Sequence, residues 1–259
     1  MNFDLTLLSI IAPALVATLL VVATHVPLGL EVLKRGIIFI DLATAQIAGL
    51  GAVIATLYIG EVETFGDLVL VNVFAFSAAL LSGVFFSWAE KRLKAFQEAL
   101  IGGSFVLAAS MALLVLANQP MGSEEIKDLL AGQILFVSWQ EIGLLAAVYL
   151  PILVVWFKFR ERMGHFGFYM VFALVVTASV QIVGVYLVFA ALIFPALGAW
   201  ILPKEKRLAT AYGLAIAGVI LGLVGSVLTD YPTGPMLVWS LAMVALLGVL
   251  SFYKLKKPT

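Results

Sequence analysis

Cysteine is absent from this chain, which excludes disulfides, iron–sulfur clusters and thiolate metal sites. Charge is scarce as well. Only 12% of the 259 residues are Asp, Glu, Lys or Arg, about half the share of a water-soluble domain. Histidine occurs twice, as His25 and His165, both read as near the membrane edge. With one buried aspartate, they do not assemble the Ser/His pair, the aspartate pair or the H-E-x-x-H of an intramembrane protease. Paired membrane histidines for a haem are missing too. No G-x-x-x-x-G-K-[ST] loop occurs, so a Walker-type nucleotide site is excluded. Gly102-Gly103-Ser104 opens an apolar run and reads as helix packing. No enzyme chemistry is expected, nor any permanently bound cofactor or nucleic-acid partner.

What the chain has in abundance is apolar sequence. It is 63% hydrophobic with a mean hydropathy of +1.15, the composition of an integral membrane protein. A spanning helix needs about 20 predominantly apolar residues. Such runs lie near 5–24, 37–60, 68–88, 99–117, 140–158, 208–229 and 235–253. The first has no basic residue before it and no A-x-A-like site, so it reads as a retained span. The stretch 166–202 is too long for one span and breaks at Ser179 and Gln181 followed by Gly184. Two helices, about 166–182 and 184–202, are expected there. The fold class is therefore all-α: a polytopic bundle of about nine (eight to nine) transmembrane helices, broken around 179–195. Residues 1–259 form one transmembrane domain in this reading, since the longest hydrophilic stretch, around 118–133, is only a loop. Within it Ser123 is placed to cap a short helix, with Glu124 and Glu125 in its first turn.

The charges orient the bundle. With the N-terminus outside and strict alternation, Lys127 alone among the fifteen Lys and Arg residues falls outside, as positive-inside bias demands. The C-terminus is then cytoplasmic. Glu61, Glu63, Asp67, Glu124, Glu125, Asp128, Glu141 and Asp230 collect on the outer side. They serve either to solvate the loops or to attract a cation or a basic docking surface. Gly218 and Gly222, with Gly225 a turn on, and Gly49 and Gly51 beside Ala45, Ala48 and Ala52, are small residues of the kind that let helices approach closely.

One residue stands apart. Asp41, in IIFIDLATAQIAGLG, is the only ionisable side chain inside an apolar span. An intramembrane ionisable group is costly and marks a pathway by default. The alternative is that it lies near enough to a helix end to reach water: five residues from Gly36 is only about 7–8 Å along an axis. Thr44 and Ala45 share its helix face, whereas Gln46 lies about 140° around. Asn72, Ser110, Thr177, Ser179 and Gln181 are the other polar residues in spans, and most such groups bond backbone carbonyls. Pro195 interrupts VGVYLVFAALIFPALGA and implies either a kink or a broken helix lining a pathway. Thr44, Gln46, Gln181 and Pro195 are thus transport-path candidates.

Several segments together resemble a known family. Val183-Gly184-Val185-Tyr186-Leu187-Val188 with Ala191-Leu192-Ile193-Phe194-Pro195-Ala196 is similar to the VGxLLVxALLIxPA signature of the membrane permeases of metal-ion (zinc/manganese) ABC importers, the ABC-3 type. Asp230-Tyr231-Pro232-Thr233-Gly234-Pro235 resembles their D-x-P-[ST]-G-P turn. Glu98-Ala99-Leu100-Ile101-Gly102 resembles their entry to the fourth span. Asp128-Leu129-Leu130, Gly132-Gln133-Ile134-Leu135 and Val137-Ser138-Trp139 resemble a further loop.

The resemblance implies a permease subunit of an importer in a bacterial inner membrane, working by alternating access as a homodimer. A cytoplasmic ATP-binding subunit would use the ATP, and an extracytoplasmic solute-binding protein would deliver zinc or manganese. Family members carry D-x-x-x-H on the second span. Asp41 matches the Asp, as the expected metal ligand, and Ala45 stands at the His position. Imidazole favours zinc, and carboxylate without it favours harder ions. Gln181 stands where many members have a basic residue. The segment Phe159–Phe166 is shorter than the family's ATPase-docking segment. His25–Gly36 is a possible substitute for it, and an ATP-uncoupled facilitator or secondary carrier is the alternative.

Overall fold

The computed structural model describes residues 5–60, 62, 64–117 and 130–256, without the side chains of 5–10 and 254–256. Eight helices run through them: α1 (Leu5–Arg35), α2 (Ile40–Ile59), α3 (Phe65–Arg92), α4 (Gln97–Leu116), α5 (Trp139–Phe159), α6 (Gly164–Ala199), α7 (Lys204–Thr229) and α8 (Thr233–Lys256). Each is long and apolar enough to cross a membrane. The expected Ser123 cap lies outside the described residues.

The helices belong to two compact units, neither continuous in sequence. Unit 1 comprises Met1–Arg35, Ala131–Leu153 and Ile182–Thr259, and unit 2 comprises Gly36–Leu130 and Val154–Gln181.

In unit 1, α1 is longer than the expected span 5–24. It runs on through HVPLGLEVLKR to Arg35, and His25 is fully buried, not at an edge. His25 Nδ1 lies 2.9 Å from the Val21 carbonyl and 3.1 Å from Thr24 Oγ1. Of the segment His25–Gly36, the first five residues are buried, whereas Lys34 and Gly36 at its end are exposed. Pro27 inside α1 has no N–H for the carbonyl four residues earlier. That carbonyl belongs to Ala23, and the Tyr212 hydroxyl of α7 donates to it at 2.7 Å.

The α7–α8 pair packs through the expected glycines. A Cβ on Gly218 would come 3.0 Å from Leu241 Cα, and one on Gly222 would come 2.8 Å from Leu237 Cα. Ser240 Oγ donates across the same seam to the Gly218 carbonyl at 2.6 Å. The DYPTGP turn is held by Ser226, whose Oγ donates to the Tyr231 carbonyl at 2.8 Å and meets Thr233 Oγ1 at 2.6 Å.

The expected break in α6 is present, at Gly184 (φ 77°, ψ 162°), a conformation essentially restricted to glycine. Its backbone presses against that of Gly132, itself at φ 68°, and neither position has room for a Cβ. Pro195 does not break the helix. It is buried in a segment whose only non-helical residue is Gly184.

Unit 2 packs α2, α3, α4 and the first part of α6. Ala48, Ala79 and Ala173 meet in a small-residue core, and a Cβ on Gly51 would lie 2.8 Å from the Phe74 carbonyl oxygen. Gly102 and Gly103 behave differently: a Cβ there would meet nothing within 4 Å, so they are not packing residues. Thr64 and Asp67 form a reciprocal capping box at the start of α3. Ser138 and Glu141 do the same before α5 in unit 1, at 2.7 Å and 3.2 Å. Two of the acids expected on the outer side, Asp67 and Glu141, therefore serve as helix caps.

Candidate functional site

Asp41 is the second residue of α2, so it does sit at a helix end. It is nevertheless buried, with 1% of its surface exposed. The backbone N–H groups of Asp41 and Leu42 face the carboxylate, and a negative charge in a first turn is favoured by the helix dipole. No donor reaches hydrogen-bonding geometry with either oxygen, however. A buried carboxylate in that condition is costly unless a cation or a proton joins it.

Glu98 is brought to the same place. It lies in the first turn of α4, and its Oε1 accepts the Phe39 N–H at 3.3 Å, two residues before Asp41. Its Oε2 is buried and also without a partner. The two carboxylates act on each other electrostatically. Asp41 in the first turn of α2 and Glu98 in the first turn of α4 are thus linked through the Phe39 N–H. Beside them Gln97 Nε2 donates to the Tyr169 hydroxyl at 2.6 Å, with both side chains buried. This bond fixes the start of α4 against α6.

The other sequence candidates fall as follows. Thr44 is 1% exposed, one turn along the Asp41 face, and Ala45 is equally buried. Gln46 is buried as well. Gln181 is exposed and lies twelve residues beyond Tyr169 on α6, about 18 Å along its axis, so it does not join the Asp41–Glu98 end. Pro195 belongs to unit 1. Asn72, Ser110, Thr177 and Ser179 each donate to a backbone carbonyl three or four residues earlier, as expected. Glu98 appeared in sequence only as part of a family motif. Its chemical signal was an acidic residue in the first turn of an apolar helix, 57 positions from the one it meets.

Among the described residues no group of three or more His, Cys, Asp or Glu comes together. The site consists of two carboxylates, with Thr44 one turn along α2 from Asp41, and carboxylate oxygens suit hard divalent cations.

Long apolar helices, a glycine-broken α6 and an internal carboxylate pair define a multi-pass membrane protein of the permease class. The chain belongs to the ABC 3 transport family, whose model matches residues 8–166 and 159–252. It is therefore a transporter component. The fold is similar to that of a chain in the structure of PsaBC from Streptococcus pneumoniae in complex with Fab. The TM-score is 0.74 at 18% identity, over 96% of this chain and 95% of the other. No curated protein matches the sequence.

Proposed function

We propose that this chain is the permease subunit of an ABC-type importer for a divalent metal ion, and that Asp41 and Glu98 receive the ion on its path. The observation that carries this reading is the set of three unpartnered, buried carboxylate oxygens on Asp41 and Glu98. A passing dication supplies the charge that the protein withholds, and the Thr44 hydroxyl and water complete its shell. With Ala45 on the Asp41 face, His165 exposed and paired with Glu90 at 2.7 Å, and His25 in the other unit, the donors are oxygens. The cargo is a hard ion of the manganese class in preference to zinc. A homodimer, a cytoplasmic ATP-binding subunit and an extracytoplasmic binding protein complete the machine, which works by alternating access.

The chain lies in the bacterial inner membrane with its N-terminus outside and its C-terminus in the cytoplasm. Support comes from the basic residues that end α1 (Lys34, Arg35) and α3 (Lys91, Arg92) and begin α7 (Lys204, Lys206, Arg207). Within unit 1, Ala131 abuts both Gly184 and Gly234 at the start of α8, whereas Gly198 abuts Ala245, eleven residues along α8. The second part of α6 therefore runs the same way as α8, in keeping with two separate helices in the stretch 166–202.

The test is metal uptake by cells that depend on this permease. Asp41→Asn and Glu98→Gln should each abolish manganese accumulation, while the protein still reaches the membrane. Unchanged uptake in both variants would overturn the site. The four-residue turn 160–163 between α5 and α6 favours a second reading, an ATP-uncoupled carrier. Uptake that persists without any ATPase subunit would select it.

A further inference from the structure

Six cationic side chains of unit 2 lie on two short turns. Lys91, Arg92 and Lys94 follow one another at the end of α3, and Lys158, Arg160 and Arg162 at the end of α5. All six are exposed. The turns are neighbours, because His165 Nδ1 meets Glu90 Oε2 at 2.7 Å and Gln97 donates to Tyr169 at 2.6 Å. Among the described residues none of the six cations takes part in an ion pair. Lys158 stands over the Phe159 ring at 5.6 Å; at the start of α7, Arg207 stacks more closely on Trp200, at 4.2 Å, and donates to the Leu202 carbonyl at 2.8 Å.

The six cations end the helices with the most open apolar faces. Only 22% of the apolar stretch of α3, of α4 and of α5 is buried, against 72% for α6. Exposed rings stand at the same ends: Trp88 at 50%, Phe96 at 65% and Phe166 at 52%. Aromatic rings with adjacent basic groups on a lipid-facing surface mark the boundary between hydrocarbon and headgroups. Arginine offers paired N–H donors to a phosphate, and lysine a compact positive charge.

We propose that these two turns form a binding site for the headgroup of an anionic phospholipid, with Lys91, Arg92 and Lys94 on one side of the phosphate and Lys158, Arg160 and Arg162 on the other. Its acyl chains lie along the open faces of α3 and α5. A soluble protein partner would match the cations but not the bare rings beside them. The site is independent of the metal path and of its cargo.

The test is native mass spectrometry of the full-length, delipidated protein in detergent, titrated with phosphatidylglycerol and with phosphatidylcholine. Phosphatidylglycerol should bind at least tenfold more tightly. The exposed triple variant Lys91→Gln/Arg92→Gln/Lys94→Gln and the double variant Arg160→Gln/Arg162→Gln should each lose that preference. Lys91→Arg/Lys94→Arg, which keeps the charge, and Lys204→Gln/Lys206→Gln, which lies in unit 1, should retain it. Intrinsic tryptophan fluorescence on heating confirms that each variant is folded. Equal affinity for the two lipids overturns the proposal. So does an unchanged preference in both neutralised variants, including the case where they lose a co-purifying ATPase subunit instead.

Discussion

The two units satisfy most of their buried polar groups alike and differ in where bare ones remain. In unit 1, Thr18 and Thr24 bond backbone carbonyls of their own helix, Tyr212 caps the carbonyl that Pro27 releases, and Ser226, Thr233 and Ser240 bond across turns and seams. In unit 2, Ser82, Thr177 and Ser179 likewise bond backbone carbonyls of their own helices, but among the described residues the buried side-chain atoms without partners all belong to this unit: both oxygens of Asp41, Oε2 of Glu98 and the indole nitrogen of Trp156. In a low-dielectric interior an unpaired polar atom is costly. The bare carboxylate oxygens of unit 2 are the basis of the proposed ion site.

That contrast can be broken at several points. The largest effect is expected at Gly184. Alanine there is strained by the backbone angles and collides with the Gly132 backbone, a loss of about 3 kcal/mol or more. The unfolding temperature of the purified protein would fall sharply; an unchanged value would mean that the break is not a structural joint. Asp41→Asn should cost at least tenfold in metal uptake, yet leave thermal stability equal or higher, because an unpaired charge is removed. A destabilised variant would place Asp41 with the structural polar groups of unit 1. Tyr212→Phe should do the reverse, with a loss of about 1–2 kcal/mol from the orphaned Ala23 carbonyl and little change in the cation's apparent affinity. The smallest effect belongs to the glycines of α4. Gly102→Ala and Gly103→Ala should be neutral or stabilise by up to about 1 kcal/mol through helix propensity, whereas Gly222→Ala, under Leu237 and Ser240, should destabilise.

Much of the bundle was legible in the chain. Apolar runs located the spans, and Ser179, Gln181 and Gly184 located the break in α6. Gly218 and Gly222 marked a real seam, because small residues at a four-residue spacing line one helix face. Asp41 announced itself as the one charge inside an apolar run. Errors arose where a local cue had no tertiary meaning. The first apolar run ends near residue 24 in the sequence. Yet α1 continues, because Tyr212 takes up the released carbonyl and Gly29 lets the α6 backbone come against α1. Gly102 and Gly103 looked like packing residues but face open space. Pro195 offered either a kink or a break, and the helix continues through it.

The sequence by itself determined that the chain is a many-helix membrane protein, which family its motifs resemble, and that position 41 carries an exceptional charge. These follow from composition and from patterns a few residues long. Only the tertiary structure decided that Asp41 is at once terminal and buried, and that Glu98 is its companion. Their meeting depends on how α2 and α4 pack, which residues 57 positions apart do not record. It also depends on a Phe39 N–H that happens to reach Glu98. Burial and pairing are properties of the packed interior, where the cost of a bare oxygen is set by its neighbours in space and not by those along the chain.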